Sequence, residues 1–269
     1  MKAEELLVKV NDFLDNLKYD RKPSGLYDPV KYVLSMGGKR IRPVLMLLSY
    51  GLFKDDVESV LMPACALETY HNYTLLHDDL MDNADMRRGH ETVHRKWDAN
   101  TAILSGDSML VLAYERMAKC NPVYLSDVLH TFTETALEIG EGQQYDMEFE
   151  TRNDVTEDEY IEMIRLKTSV LLACAQKIGA ILAGARSRIR TISINLASRL
   201  DWLFSFRTII LMFMVTRKSL ERKSEETSSA IRKPTCSSML TTELMPNSGV
   251  NCSIGWKQRR STAMRKWLL

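Results

Sequence analysis

The chain has 269 residues, a net charge of +1 at pH 7 and 45% hydrophobic residues, which suffices for one large globular domain or two small ones. This overall balance gives no argument for nucleic-acid or membrane-surface binding. The cysteines are five in number and lack metal-ligand spacing, so we expect reduced thiols in a cytoplasmic protein. They are Cys65, Cys120, Cys174, Cys236 and Cys252.

The sequence predicts no membrane-spanning segment. Residues 1–17 follow a charged amphipathic pattern that lacks the continuous apolar core of a secretory leader. The longest apolar stretch, residues 202–215, contains Arg207 and is too short to cross a bilayer.

Helical periodicity dominates residues 1–185 and predicts an all-α bundle of long antiparallel helices. The predicted helices begin with a stripe from Leu6 to Leu17 and continue at 44–53, 60–83, 101–118, 122–142 and 157–184. Loops are predicted at 19–29, 36–43 and 150–159.

The stretch "LLHDDLMDNADMRRG", residues 75–89, places three carboxylates within five residues of an apolar helix. Asp78 and Asp82 are four residues apart and share a helix face, with Asp79 beside them. A solvated helix face is the simpler interpretation, but the preceding residues 64–75 place this helix against a core. Mg²⁺ typically uses one or two carboxylates together with substrate phosphates, and the paired Arg87 and Arg88 suit those phosphates.

Three further clusters contain polar side chains that are suited to ligand binding or catalysis. In "SMGGKRIRP" two glycines permit close backbone approach, and Lys39, Arg40 and Arg42 concentrate positive charge before a helix, which suits a diphosphate. Such a loop can equally be a solvated turn. Gln143 and Asp146 share a face in "GEGQQYDMEFE".

The remaining cluster is "MIRLKTSVLL", in which a lysine and a threonine interrupt an apolar helix. A lone Lys167 on such a helix more often extends to solvent than binds a ligand. His71 is equally compatible with a buried core position. His77 is interpreted as a partner of the adjacent Asp78.

In this order, "GGKRIRP", "HDDLMDNADMRRG", "GQQYD" and "KTS" resemble the trans-isoprenyl diphosphate synthases, or polyprenyl synthetases, over residues 20–185. The resemblance implies an all-helical fold around a central cavity and a homodimer. It also implies catalytic roles for the DDxxD motif (Asp78, Asp79 and Asp82) and for Lys167, with Mg²⁺ held by Asp78 and Asp82.

The resemblance also implies two diphosphate sites. Lys39, Arg42, His71 and Arg88 would bind isopentenyl diphosphate. The allylic diphosphate would be bound by Arg87, Lys167, Thr168 and Gln143. Ionisation of the allylic C–O bond separates a carbocation from an anion, so positive charge near the diphosphate favours it.

Chain length of the product is expected to be short, C15 to C20, by the same resemblance. Tyr73 lies five residues before Asp78, about one and a half helical turns away. A ring there would limit growth of the prenyl chain, although Tyr73 can equally be an ordinary core residue.

The resemblance ends near residue 186, where the net charge changes from −10 over residues 1–185 to +11 over residues 186–269. The second Asp-rich motif of the family is absent, and residues 204–214 read "FSFRTIILMFM". One allowed set of codons for this string, read one nucleotide earlier, encodes "FQLQDDYLDVY". We therefore expect residues 186–269 to be a frameshifted, disordered product, which would leave the chain with little or no synthase activity.

Three alternatives are open at this stage. A terpene cyclase also ionises an allylic diphosphate, but it has no need of the second basic cluster at Lys39, Arg42 and Arg88. The chain can instead be a non-catalytic partner subunit of a prenyl synthase. A basic-tailed nucleic-acid binder would show steeply salt-dependent affinity, and we expect no nucleic-acid partner.

Overall fold

The structure is a computed structural model that describes residues 2–17, 19 and 21–185. Helices follow one another through these ranges, so the predicted all-α class is confirmed. They are α1 (Ala3–Asp15), α2 (Ser24–Ser35), α3 (Ile41–Gly51), α4 (Leu61–Met81), α5 (Val93–Lys96), α6 (Ala99–Met117), α7 (Leu125–Glu148), α8 (Glu157–Ile164) and α9 (Val170–Leu182). The predicted frameshifted tail, with Cys236 and Cys252, lies outside the described residues.

Helix α4 is the centre of the bundle. Four successive residues from Ala64 to Leu67 are fully buried, so this helix is enclosed on all sides near its start. A helix that is apolar all round must be covered by neighbours, and α3 and α6 both pack against it. The acidic end of α4 is therefore held inside the bundle rather than on a free surface.

A second contact joins α3 and α9. The backbone of the two helices approaches so closely that a Cβ on Gly179 would overlap the carbonyl oxygen of Met46. The Ser49 hydroxyl donates to the Gln176 carbonyl at 2.7 Å across the same contact. Together with α7, which also packs against α9, these helices enclose the main core.

Several predicted boundaries were wrong. Residues 24–29 belong to α2 rather than a loop, because Val30, Val33 and Leu34 bury this helix in a second core despite Pro29 in its interior. The predicted helix at 157–184 is divided by a π-helical turn, Arg165–Ser169. Helix α7 extends six residues beyond the predicted end at 142.

A short antiparallel hairpin, β1 (Met86–Arg87) and β2 (His90–Glu91), was not predicted. Within the ranges that the structure describes, no helix is both long and apolar enough to cross a membrane. Cys65, Cys120 and Cys174 are free and buried, and burial raises the pKa of the Cys65 and Cys174 thiols to about 12. These three thiols are therefore uncharged at neutral pH.

Candidate functional site

The acidic cluster lies at the C-terminal end of α4. Asp78 and Asp79 are buried, each about 5% exposed. The Asp82 amide donates to the Asp78 carbonyl at 2.8 Å and caps the helix. The helical register thus continues to Asp82, and Asp78 and Asp82 share one face as their spacing predicts.

The hairpin brings Arg87 onto this cluster. Its Nη2 lies 2.6 Å from Asp79 Oδ1 and 3.7 Å from Asp78 Oδ2, and its Nε donates to both Asp79 oxygens at 3.0 and 3.1 Å. Burial raises the pKa of Asp79, and the Arg87 guanidinium opposes that rise. Thr92 anchors the hairpin by donating from Oγ1 to the Ala84 carbonyl at 2.7 Å.

Lys167 reaches the same cluster from the π-helical turn between α8 and α9. Its Nζ lies 3.0 Å from Asp78 Oδ1 and 3.0 Å from Asp146 Oδ2. The side chain is only 19% exposed, so it does not extend to solvent as the simpler interpretation held. Asp78, Asp146 and Lys167 come from three separate elements, and their proximity was not apparent from the sequence.

Gly142 permits this arrangement. A Cβ there would lie 2.5 Å from the backbone nitrogen of Lys167. Because glycine has no side chain, α7 contacts the backbone of the π-helical turn directly. Thr168 is half-buried on that turn. Gln143, also on α7, faces the end of α4, with Nε2 3.7 Å from the Met81 sulfur.

A second basic region is formed by the GGKR turn, residues 37–40. Gly37, Gly38 and Arg40 have φ values of 74°, 149° and 48°, in the region that favours glycine. Arg88 donates to the Gly37 carbonyl, and its guanidinium occupies the space that a Gly38 side chain would fill. Consecutive arginines thus separate, Arg87 to the acidic cluster and Arg88 to this turn.

His71 is buried on α4, and its exposure is only 4%. Burial lowers its pKa well below the ordinary value, and the nearby Arg42 and Arg88 lower it further. The imidazole is therefore neutral at pH 7 and lies within the field of the arginines. Lys39 in the GGKR turn is exposed and Arg42 after it is half-buried, so the two basic residues and His71 differ in depth.

Two sequence interpretations need correction. His77 does not contact Asp78; its Nε2 lies 3.3 Å from the Ile103 carbonyl on α6, and its ring fills the space beside Gly106. Arg40 does not add to the exposed positive charge of its cluster, because it is buried against Glu68 at 2.7 Å. In both cases the sequence left the direction of the side chain undetermined.

The acidic cluster is compatible with Mg²⁺ as one partner among several ligands. Among the described residues, no group of three or more His, Cys, Asp or Glu side chains is arranged to hold a metal by itself. Asp78 and Asp82 supply hard carboxylate oxygens on one face, and Mg²⁺ commonly combines one or two such ligands with water and phosphate. The neighbouring Lys167 and Arg87 are suited to the phosphate oxygens.

Comparison with known proteins finds isoprenyl diphosphate synthases among the relatives of this chain. The polyprenyl synthetase family model matches residues 23–208. Geranylgeranyl diphosphate synthase of Methanosarcina mazei is 44% identical over 182 residues, 67% of this chain and 56% of that protein. Short chain isoprenyl diphosphate synthase of Methanocaldococcus jannaschii is 39% identical over 81% of this chain and 66% of its own length.

Solved structures agree with these relatives. A crystal structure of geranylgeranyl pyrophosphate synthase superposes with a TM-score of 0.74 at 42% identity, covering 79% of this chain and 64% of that one. Geranylgeranyl pyrophosphate synthetase of Geoglobus acetivorans gives 0.69 at 38% identity, over 72% of this chain and 64% of that one. The chain thus spans less than two thirds of the length of these proteins. With its helical bundle and the four motifs in order, it belongs to the polyprenyl synthetase family.

Proposed function

We propose that residues 2–185 form the diphosphate-binding part of a Mg²⁺-dependent trans-prenyltransferase, which condenses isopentenyl diphosphate with an allylic diphosphate. The observation that carries this proposal is the separation of Arg87 and Arg88, one paired with Asp79 of the acidic cluster and one bound to the Gly37 carbonyl of the GGKR turn. A condensing enzyme needs two diphosphate subsites of this kind, of which only one requires a metal.

The allylic subsite lies at the end of α4. Asp78 and Asp82 would hold Mg²⁺, which when bound neutralises the diphosphate and assists its departure. Lys167 places an ammonium beside Asp78, where it can donate to the departing diphosphate and stabilise the developing charge. Arg87 provides a guanidinium on the hairpin side, and Gln143 and Thr168 line the α7 and π-turn sides.

The isopentenyl diphosphate subsite lies at the GGKR turn. Lys39, Arg42 and Arg88 supply positive charge, and the neutral His71 can donate one N–H to a diphosphate oxygen. The homoallylic double bond then attacks the allylic carbon, and a proton passes to the released diphosphate. The proposal requires no side-chain nucleophile.

Tyr73 supports a short product of C15 to C20. It lies on α4 below the acidic cluster, and its ring centroid is 5.4 Å from that of Tyr70 in a tilted contact and 4.8 Å from that of His77 in an edge-to-face contact. This aromatic row on one side of α4 would stop an elongating chain. Replacement of Tyr73 by alanine should shift the product of an active enzyme towards longer chains, measured by chromatography of the dephosphorylated products.

A homodimer is proposed through α6. Leu104 and Val111 are 58% and 67% exposed and lie seven residues apart on one face, an apolar surface suited to a second copy. Val111→Glu should convert a dimer to monomers in sedimentation velocity, whereas the control Val123→Glu, the same substitution at an exposed residue outside α6, should leave the dimer intact. A monomeric unsubstituted chain would contradict this part of the proposal.

We also propose that residues 186–269 are a frameshifted segment. Because this segment lacks the second Asp-rich motif, the 269-residue chain should show little synthase activity. Incorporation of labelled isopentenyl diphosphate with dimethylallyl or geranyl diphosphate tests this, beside a frame-restored gene and a mixture with an active synthase. The family match continues to residue 208, so the gene should be sequenced across the codons for residues 184–208. An open reading frame there with no insertion or deletion relative to close relatives, or robust activity of the chain as written, would contradict the proposal.

A further inference from the structure

Arg40 and Glu68 form a buried ion pair beneath the GGKR turn. Their side chains are 4% and 2% exposed, and Arg40 Nη1 lies 2.7 Å from Glu68 Oε1. Arg40 Nη2 also donates to the Leu34 carbonyl at 2.9 Å, and its Nε lies 3.4 Å from Asn11 Oδ1. One guanidinium therefore joins α1, the end of α2 and α4.

The backbone that carries this guanidinium is in an unfavourable conformation. Arg40 has φ 48° and ψ 36°, a left-handed geometry that a Cβ disfavours, directly before α3. Such a residue persists when the surrounding contacts hold it there. Here the side chain is held by Glu68 and the Leu34 carbonyl, and the Val44 amide of α3 donates to the Arg40 carbonyl at 3.2 Å.

The ion pair lies between the parts of the isopentenyl diphosphate subsite. Lys39 is exposed immediately before Arg40, and Arg42 follows two residues later in the first turn of α3. Glu68 lies three residues before His71 on α4, and Asn72 donates to the Glu68 carboxylate at 3.2 Å. The pair thus fixes the turn against the segment of α4 that bears His71.

We propose that Arg40 is a positioning residue for the isopentenyl diphosphate subsite. It acts through the GGKR turn: the Arg40–Glu68 pair holds the turn so that Lys39 and Arg42 face the diphosphate beside His71. The role of the turn in binding isopentenyl diphosphate rests on the proposed function. That the Arg40–Glu68 pair holds the turn in place is argued from the contacts of Arg40 and is independent of the proposed function.

The test replaces both partners in the full chain, because removing one would leave the other charge buried without a counter-charge. The variant is Arg40→Met with Glu68→Met. A control with the same residue types is Arg21→Met with Glu115→Met, which removes an exposed Arg–Glu pair outside the subsite. Arg40→Lys is a third variant that keeps the charge but loses the planar fork. Circular dichroism and thermal melting establish that each is folded.

Two measurements follow. Hydrogen exchange without ligand reports the amides of residues 36–42, and calorimetry reports binding of isopentenyl diphosphate. In the Arg40/Glu68 variant we expect about tenfold faster exchange in the turn and about tenfold weaker binding, and a smaller effect in Arg40→Lys. The Arg21/Glu115 control should match the unsubstituted chain in both.

The outcomes separate the two proposals. A folded Arg40/Glu68 variant with unchanged exchange at 36–42, or with faster exchange but unchanged affinity, would overturn the positioning role. If the unsubstituted chain itself fails to bind isopentenyl diphosphate, the proposed function is wrong at this subsite. Hydrogen exchange at residues 36–42 then tests only whether the Arg40–Glu68 pair holds the turn in place. Faster exchange in the variant supports this, and unchanged exchange overturns it.

Discussion

Replacement of Gly142 by alanine should separate α7 from the π-helical turn. An added Cβ would lie 2.5 Å from the Lys167 nitrogen and 2.8 Å from two Leu166 atoms, all of them backbone or close to it. Ordinary contact begins near 3.4 Å, so the two elements must part by about 0.9 Å. Overpacking of this kind costs about 1–3 kcal/mol.

Gly140 provides the matched control. It lies two residues earlier on α7, and a Cβ there would meet no atom within 4 Å. Gly140→Ala should therefore stabilise the helix by about 0.5–1 kcal/mol, the usual difference between the two residues. Both variants gain the same helical preference, so the difference between their free energies of unfolding measures the cost of the steric overlap at residue 142. Urea unfolding followed by circular dichroism measures it.

The same displacement should weaken the proposed allylic subsite. A shift of 0.9 Å is enough to take Lys167 Nζ, now 3.0 Å from Asp146 on α7, beyond hydrogen-bonding distance, so that the ammonium loses one of the two carboxylates that hold it. We expect Mg²⁺-dependent binding of geranyl diphosphate to weaken about tenfold in Gly142→Ala and to be unchanged in Gly140→Ala. Equal stability and equal affinity of the two variants would refute the argument that Gly142 sets this contact.

Three further predictions concern single groups. Asp78→Asn should weaken Mg²⁺-dependent binding of geranyl diphosphate about tenfold or more while sparing Mg²⁺-free binding of isopentenyl diphosphate; equal losses in calorimetry would contradict separate subsites. Folding lowers the pKa of His71, so the unfolded chain binds more protons than the folded chain just below pH 6.5. The free energy of unfolding should therefore decrease as the pH is lowered below 6.5, by up to about 1.4 kcal/mol per pH unit. His71→Gln should reduce that slope in urea unfolding at pH 5, 6 and 7, and an unchanged slope would count against it. Finally, the Cys65 thiol, with a pKa of about 12, should resist iodoacetamide at pH 8 until the chain is unfolded, as followed by mass spectrometry; rapid labelling of the folded chain would show that it is not buried.

Local patterns predicted much of the bundle. The apolar spacing of α1, α4 and α6 is a property of neighbouring turns, and the structure places these helices within a few residues of the predicted ranges. The shared face of Asp78 and Asp82 follows from the same four-residue geometry. Errors occurred where packing outweighed local preference, as in α2, where a buried face overrides the Pro and Gly residues that indicated a loop.

The sequence by itself determined the helical class, the acidic cluster and the identity of the basic residues, because these depend on spacing along one helix. Only the tertiary structure decided which charges meet. Lys167 finds Asp78 across 89 residues, and Arg40 turns inward to Glu68 while its neighbour Lys39 remains exposed. The physical reason is that an ion pair depends on distance and burial, which helices that are far apart in the chain establish only when they pack together.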